Sequence, residues 1–352
     1  MMKPRARDLG IKLPGTPGPL NAITDVAGVE VGFTTLIADA PHVARTGVTA
    51  ILPRPRADLF NPVWSGQFNL NGNGEMTGAH WINEAGWFTG PITITNTFSI
   101  GRAHHATVQW MAEHFGQLER GEQFILPVAA ETFDGWLNDI ARFHVTEAHV
   151  MAAIDAAAPG SVAEGNVGGG TGMIAYEFKG GTGTASRRVQ IDGAEFTVGA
   201  LVQANHGLRP WLTIAGVPVG QMMPEGCFRS AEQGSIIGII ATDAPLLPSQ
   251  LQRLARRAGM GIGRAGTPSG NNSGDLFLAF STANDQGRAP EPRRYSMECL
   301  GNDTLDPVFL AVVEAIDEAV LNAMVAAETM TGRDGRVVQA IDHARLRAIF
   351  GG

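Results

Sequence analysis

The sequence predicts an α/β protein, a four-layer αββα sandwich in which two packed β-sheets lie between outer helices. Apolar runs rich in β-branched residues alternate with blocks of helical periodicity. Many of these runs are apolar on both faces, which indicates sheets covered on both sides. A hairpin signal joins two of the runs, so paired strands in two sheets fit better than a single parallel sheet. Without an internal repeat or a low-complexity linker, residues 1–352 are expected to form one domain.

The first part of the chain has turn-rich segments between short apolar runs. Residues 1–22 are rich in Pro and Gly and predict an extended arm, and residues 23–33 predict a hairpin about Gly28. Residues 69–78 form a cluster of turn-forming residues, which predicts a long loop. Strands are predicted over 46–53, 91–96 and 124–130, and helices over 103–117 and 145–157.

The second part of the chain carries the strongest local signals. Asp192-Gly193 between two apolar runs is typical of a two-residue hairpin turn. Asp306 before Pro307 predicts a helix N-cap followed by the first helical residue. Residues 284–305 predict a polar loop. Strands are predicted over 187–191, 196–204, 234–243 and 275–283, and helices over 247–260, 306–328 and 342–350.

Composition and charge disfavour several classes of protein. Lys and Arg number 26 against 34 Asp and Glu, for a net charge of -8, and no basic run is present, so no nucleic-acid-binding surface is expected. No apolar run approaches ~18 residues, and the basic start lacks the apolar segment of a secretory signal. We therefore expect a cytoplasmic protein without a membrane span. Only 17% charged residues together with 45 Gly suggest buried subunit contacts and a homo-oligomer.

Metal and cofactor motifs are absent from the sequence. Cys227 and Cys299 lie far apart without metal-ligand spacing, and the nine histidines form no H-E-x-x-H pattern. GIGRAG at 261–266 and GTGMIA at 170–175 match dinucleotide fingerprints, but neither has a strand before it and a helix after it. No metal and no organic cofactor is therefore expected. The sequence also lacks G-x-S-x-G, which disfavours an ordinary α/β-hydrolase.

The pair Gly234-Ser235 stands where a polar, turn-rich segment, residues 224–234, meets a buried apolar strand. A serine at the mouth of a core strand suits a nucleophile, because the strand fixes its Cα while its hydroxyl lies at the edge of the core. A chain break before Ser235 would also free its α-amine. By itself, however, the pair is more simply a turn before a strand.

Two further polar clusters lie at predicted strand ends. Residues 271–275 (NNSGD) place two carboxamides, a hydroxyl and a carboxylate directly before a strand, where burial is costly unless they hydrogen-bond one another or a ligand. Asn205 ends another strand, and its amide can donate to a developing oxyanion. His206 beside it is more simply a hydrogen-bonded structural histidine. Together with Ser235, these clusters favour a serine hydrolase without a histidine base.

At these residues the sequence resembles the β-aminopeptidase family, which includes the L-aminopeptidase/D-Ala-esterase/amidase enzymes. The resemblance extends over nearly the whole chain, and seven blocks in order are specific far beyond any single motif. The blocks are KPRARDLG (3–10), NAITDV (21–26), NGNGEMTG (71–78), GGGTGM (168–173), LVQANHG (201–207), GSII (234–237) and GNNSGD (270–275).

The resemblance implies a precursor that cleaves itself between Gly234 and Ser235. The products are an α chain (1–234) and a β chain (235–352) in one αββα fold, similar to N-terminal nucleophile hydrolases but with different strand connectivity. Ser235 is then the nucleophile both of the cleavage and, once its amine is free, of peptide hydrolysis. Members typically assemble as tetramers of αβ units.

The resemblance also assigns roles to four other side chains. Ser273 and Asp275 match the serine and the acidic residue that polarise the nucleophile, and Asn205 matches the oxyanion amide. Glu131 matches the carboxylate that anchors the free amine of the substrate. The implied substrates are short peptides, amides or esters with a small N-terminal residue: Gly, L- or D-Ala, or a β-amino acid.

One position departs from the family pattern. The segment that often reads Glu-Thr-Tyr-Asp-Gly, with the tyrosine hydroxyl assisting the oxyanion, has Phe133 in place of the tyrosine. Loss of one oxyanion donor costs about 10²–10³ in rate, so Phe133 is not included among the catalytic residues.

Two alternative functions remain open at this point. One is a self-processed acyltransferase resembling the ornithine acetyltransferases, although those enzymes process at a threonine. The other is an uncleaved protein that binds a small ligand in the same pocket.

Overall fold

The computed structural model describes residues 3–285, 294 and 296–351. The strands in these residues are β1 Glu30–Ala38, β2 Ala44–Leu52, β3 Val63–Gly72, β4 Trp87–Phe88, β5 Ile92–Asn96, β6 Val128–Thr132, β7 Ile174–Ala175, β8 Phe178–Lys179, β9 Gly181–Ile191, β10 Ala194–Asn205, β11 Ser235–Thr242, β12 Gly274–Ser281, β13 Met330–Thr331 and β14 Val337–Val338.

The α-helices are α1 Ala79–Ala85, α2 Ile100–His114, α3 Gly116–Glu119, α4 Glu147–Asp155, α5 Val219–Met222, α6 Pro248–Arg264, α7 Asp306–Val325 and α8 His343–Phe350. Short 3-10 helices cover Ala6–Leu9, Ile23–Asp25, Arg56–Asp58, Thr97–Ser99, Ile140–Arg142, Gly168–Gly172, Arg209–Trp211, Asn302–Thr304 and Arg333–Gly335.

Two larger sheets form the inner layers of the molecule. The first has the strand order β1-β2-β5-β6, and the second has the order β4-β3-β12-β11-β10-β9. Most neighbouring strands are antiparallel, but β5 pairs with β6 and β11 pairs with β12 in parallel. The pair β7-β8 and the pair β13-β14 form separate two-stranded sheets.

Three hydrophobic clusters separate the layers. Between the two sheets, apolar side chains of β5 and β6 meet those of β10, β11 and β12, including Ile94 and Ile239. On the outer face of the first sheet, α2 and α4 pack through residues such as Trp110 and Ile154. On the outer face of the second sheet, α6 and α7 pack on the strands. The structure therefore confirms the predicted αββα sandwich.

Most predicted elements correspond to observed ones. Three predictions are wrong: the hairpin over 23–33, the start of the loop at 69 and the N-cap at Asp306. Residues 23–33 do not form a hairpin: Ile23–Asp25 is a 3-10 helix whose first N–H donates to the Thr184 hydroxyl, and β1 begins only at Glu30. The loop predicted for 69–78 begins only at residue 73, four residues later than predicted, because β3 continues to Gly72. Helix α7 starts at Asp306 itself, with Leu305 at the N-cap position.

No helix in the described ranges is long and apolar enough to cross a membrane. Of the polar loop predicted over 284–305, residues 286–293 and 295 lie outside the described residues.

Candidate active site

Ser235 is the first residue of β11, near the middle of the six-stranded sheet. Its register partners are Asn205, the last residue of β10, and Gly274, the first residue of β12. Directly paired residues project to the same face of a sheet, and side chains alternate along a strand. Ser235 therefore faces the same way as Ile237, which lies in the core between the two sheets. The Ser235 side chain lies at the end of the inter-sheet core, opposite the Asn205 carboxamide.

The orientation of the Asn205 carboxamide is fixed by two backbone groups. Its Oδ1 accepts a hydrogen bond from the Ile174 N–H at 2.8 Å, and its Nδ2 donates to the carbonyl oxygen of Phe133 at 2.9 Å. Because an N–H can only donate, the oxygen must face Ile174, and the NH₂ group must face the other way. An NH₂ group has two hydrogens, so one remains for a developing oxyanion beside Ser235.

The peptide group between Gly234 and Ser235 is closely confined. The N–H of Gly274 donates to the carbonyl oxygen of Gly234 at 3.3 Å. A Cβ atom at position 234 would overlap the carbonyl oxygen of Asn205 and crowd the Cα of His206. Only glycine fits at this position without moving β10, which explains the Gly-Ser pair in steric terms.

Ser273 and Asp275 lie at the start of β12, on the other side of Ser235. The Ser273 hydroxyl donates to one carboxylate oxygen of Asp275 at 2.6 Å, and the Ser269 hydroxyl donates to the other. Asp275 pairs in register with Ile236, so its side chain points away from the face that Ser235 occupies. Burial raises the pKa of the Asp275 carboxyl, although the two serine hydrogen bonds act in the opposite direction. Asp275 can therefore affect Ser235 only through an intermediate group such as Ser273.

Glu131 lies in β6 of the first sheet, one residue before the strand ends. One of its carboxylate oxygens accepts the Glu75 N–H at 3.0 Å, and the other accepts the Thr97 hydroxyl. Burial raises the pKa of Glu131, and these two hydrogen bonds lower it. A carboxylate has about four acceptor sites, so the buried group can still accept a substrate ammonium.

The loop after β3 brings Glu131 close to the second sheet. A Cβ atom built on Gly74 would lie 3.3 Å from Oε1 of Glu131 and 3.4 Å from the Cα of Gly274. Gly274 is the strand partner of Ser235. The structure therefore brings the carboxylate and the serine to the same end of the sandwich, although they come from different sheets.

Phe133 follows β6 directly and has an exposed fraction of 46%. Its backbone carbonyl accepts the Asn205 amide hydrogen bond, so residue 133 helps to orient Asn205 whatever its side chain. The ring packs against Gly135 and carries no hydroxyl that could donate to an oxyanion.

His206 differs from the structural histidine that the sequence predicts, because it is not hydrogen-bonded. It is buried, its ring packs edge-on against Tyr176 with centroids 5.2 Å apart, and neither ring nitrogen has a partner in the described part of the chain. Burial lowers the pKa of His206 to about 3, so the imidazole is neutral at ordinary pH.

Three residues at the site were missed by the sequence analysis: Ser269, Thr97 and Glu75. Glu75 belongs to the cluster 69–78, which was predicted as a loop, and Thr97 directly follows a predicted strand. Ser269 lies just before the polar cluster 271–275 and belongs to no predicted element. The signal in the sequence that could have identified them is the position of polar residues next to predicted strand ends. Among the described residues, no group of three or more His, Cys, Asp or Glu side chains could hold a metal ion.

The αββα sandwich, with polar side chains gathered at the ends of its central strands, defines the class of the protein: a hydrolase with a fold of the N-terminal nucleophile type. The chain belongs to peptidase family S58, whose family model matches residues 21–338, and it is an aminopeptidase.

Several named relatives are similar to this chain over nearly their whole length. The beta-peptidyl aminopeptidase BapA of Sphingosinicella microcystinivorans is 49% identical over 99% of this chain and 92% of its own. The structure of the L-aminopeptidase D-Ala-esterase/amidase from Ochrobactrum anthropi, described as a prototype of the serine aminopeptidases and a variant of the Ntn hydrolase fold, superposes with a TM-score of 0.95. It is 57% identical and covers 99% of this chain and 98% of that one. A Burkholderia sp. beta-aminopeptidase has a TM-score of 0.90 at 46% identity, covering 97% of each chain.

Proposed function

We propose that this aminopeptidase is self-processing and uses Ser235 as its nucleophile. It releases a small N-terminal residue from short peptides, amides or esters through an acyl-enzyme. The observation that best supports the proposal is the confinement of the Gly234–Ser235 peptide, whose carbonyl oxygen accepts the Gly274 N–H at 3.3 Å. A serine hydroxyl next to a polarised, immobilised carbonyl favours attack by proximity and by electrostatic stabilisation.

Self-cleavage needs only the chain and one water. The Ser235 hydroxyl adds to the Gly234 carbonyl carbon, the bond from that carbon to the Ser235 nitrogen breaks, and the hydroxyl proton passes to the freed amine. Water then hydrolyses the resulting ester, which leaves a carboxylate on Gly234 and restores the hydroxyl. The products are the chains 1–234 and 235–352, still within one fold.

In turnover the same hydroxyl attacks the first carbonyl of the substrate. The Ser235 α-amine, or Ser273 supported by Asp275, accepts the proton. The free N–H of Asn205 stabilises the oxyanion. The leaving amine or alcohol takes a proton as its bond to the acyl carbon breaks, and water or a second amine then releases the acyl group from Ser235. No step requires a metal or an organic cofactor.

Glu131 explains why the enzyme would cleave only after the first residue of its substrate. A buried carboxylate is stabilised by a cation, and the ammonium of a substrate supplies one. In a peptide extended at its N-terminus the ammonium lies too far from the same bond to reach Glu131, so the bond cleaved is the one after the first residue.

The proposal extends to assembly and location. We propose a tetramer of αβ units in the cytoplasm. Large apolar side chains on the surface of the single chain support buried subunit contacts, among them Phe124 at 82% and Met260 at 64% exposed. Light scattering of the purified protein tests the assembly.

The central experiment combines intact-mass analysis with a substrate panel. We expect the purified protein to show two masses, for residues 1–234 and 235–352. The p-nitroanilides of Gly, L-Ala, D-Ala and β-Ala then rank the substrates. A protein that stays whole, and whose Ser235→Ala variant behaves identically, would contradict both self-cleavage and the nucleophile.

For Glu131→Gln, we expect kcat/KM for free-amine substrates to fall about 10- to 100-fold. A hydrogen bond to a charged group contributes about 1.5–3 kcal/mol, and the neutral amide loses that charge. Because burial raises the pKa of Glu131, wild-type kcat/KM should also fall as the pH drops through that raised pKa and the carboxylate is protonated. The variant should lose this part of the pH profile. If wild type cleaves an N-acetylated substrate as fast as the free amine, Glu131 does not have this role.

For Phe133→Tyr, we expect kcat to rise by about tenfold or more, because the family's tyrosine hydroxyl would be restored and one oxyanion donor is worth about 10²–10³. Phe143→Tyr is the matched control, since Phe143 is similarly exposed at 49% but is not assigned to the site. Steady-state kinetics on one p-nitroanilide compares the two variants. If both variants changed kcat equally, or if Phe133→Tyr left kcat unchanged, a tyrosine hydroxyl at position 133 would not serve as an oxyanion donor.

A further inference from the structure

The segment that precedes Ser235, residues 224–234, has no helix or strand, yet buried charged side chains hold it at several points. Within it, Glu232 is buried while its neighbours Ala231 and Gln233 are exposed. The Glu232 side chain is therefore turned inward, three residues before the proposed nucleophile.

Glu232 joins the two loops that carry the polar groups of the site. One of its carboxylate oxygens accepts the Gly207 N–H at 2.6 Å, and the other accepts the Gly270 N–H at 2.7 Å. Gly207 lies two residues after Asn205, and the Gly270 carbonyl accepts the N–H of Ser273 at 2.8 Å. A single carboxylate thus fixes the segment to the loops on both sides of Ser235.

The middle of the segment is held by Glu177. One of its carboxylate oxygens accepts the N–H groups of both Phe228 and Arg229, at 2.6 and 2.7 Å. Glu177 lies with Tyr176 in the turn between β7 and β8, and both residues have positive φ, +60° and +50°. Such a turn usually uses Asn and Gly. Strained backbone of this kind persists where the surrounding structure demands it and is concentrated at functional sites.

The start of the segment is held by Arg209. Its buried guanidinium donates to the carbonyl oxygens of Met223 at 2.9 Å and Glu225 at 2.8 Å. Anchors at the start, in the middle and near the end leave Gly234 little freedom. The attack of a serine on its own preceding carbonyl requires a narrow range of backbone geometry, and immobilisation of the reacting groups is a large source of rate.

We propose that Glu232 is the principal positioning residue for self-cleavage, a role that rests on the self-processing proposed above. Its carboxylate sets the Gly234 carbonyl against the Ser235 hydroxyl by anchoring both flanking loops. It does not touch the reacting atoms. Once the bond is cut, turnover of small substrates no longer depends on this alignment.

The test measures cleavage of newly made full-length chain in a cell-free pulse–chase. We expect Glu232→Gln to cleave about 10- to 100-fold more slowly than wild type, because an amide NH₂ would face one of the two N–H donors. Gly270→Ala should slow cleavage similarly, since a Cβ there would overlap Oε2 of Glu232. The matched control is Glu225→Gln, which removes an exposed carboxylate of the same segment whose side chain pairs with Arg345 at the surface. It should cleave at the wild-type rate.

Two further measurements separate positioning from a general loss of structure. After cleavage is complete, Glu232→Gln should retain kcat/KM for H-Gly-p-nitroanilide within about threefold of wild type. In a Ser235→Ala background it should still unfold in one cooperative transition, with a melting temperature lowered only by the effect of one mispaired buried N–H.

A wild-type cleavage rate for Glu232→Gln would overturn the inference. So would an equal loss of turnover and thermal stability in the slow variant. Wild-type chain that itself never cleaves would instead contradict the proposed function.

Discussion

Ser235→Ala is expected to leave the protein whole, at its full mass of 37.1 kDa, and to abolish turnover of every p-nitroanilide in the panel. The substitution removes the only atom that can attack the Gly234 carbonyl in the proposed reaction, so neither processing nor acyl transfer can begin. Intact-mass analysis and steady-state kinetics measure the two losses on one sample.

The control for this experiment is Ser230→Ala, which removes an exposed hydroxyl five residues earlier in the same segment. It should be processed and active like wild type. Residual activity of uncleaved Ser235→Ala near the wild-type level would show that another residue is the nucleophile.

Asn205→Asp is expected to lower kcat by at least 10²–10³, the effect of losing one oxyanion donor. The aspartate has nearly the same shape, and one oxygen can still accept the Ile174 N–H. The other oxygen would then face the Phe133 carbonyl and the developing oxyanion, and both are acceptors. Self-cleavage should slow as well, since Asn205 is the direct strand partner of Ser235.

The measurement compares kcat and processing rate with thermal unfolding, because an acceptor facing an acceptor in a buried site destabilises by about 1–3 kcal/mol. Asn83→Asp, an exposed carboxamide on α1, is the matched control and should change neither rate. If Asn205→Asp retained kcat within about threefold, the oxyanion would have to be held by other donors.

The sequence predicts the layers of this fold well because the layers depend on local apolar patterns. The run that begins at Ser235 is apolar and β-branched, and the structure buries all of it as β11. Strand β3 was missed because its first half carries Ser65, Gly66 and Gln67, which do not resemble a core strand. The reason for Gly66 is tertiary: a Cβ there would overlap the backbone of α6 at Gln252.

The candidate site was only partly predictable, because it too depends on contacts between residues that are distant in sequence. Ser273 and Asp275 stand two apart before an apolar run, so their proximity follows from the sequence. Their relation to Ser235 depends on the parallel register of β11 and β12, in which Ser235 pairs with Gly274. No local pattern specifies that register. The link from Glu131 to the second sheet likewise depends on the close approach of Gly74. The anchoring of 224–234 depends on partners outside the segment, such as Glu177 and Gly270.

The strand order of the larger sheet has a consequence for refolding if the proposed self-cleavage takes place. Strands β11 and β12 would both belong to the second chain, and they lie between β3 and β10 of the first. Once the peptide bond is cut, the two chains are interleaved within one sheet, and neither has a complete core of its own. Unfolding would then separate partners that were made as one molecule, and their recovery would require a bimolecular encounter. The uncleaved chain can fold as a single molecule. After cleavage, the rate of refolding would depend on the concentration of the two separated chains.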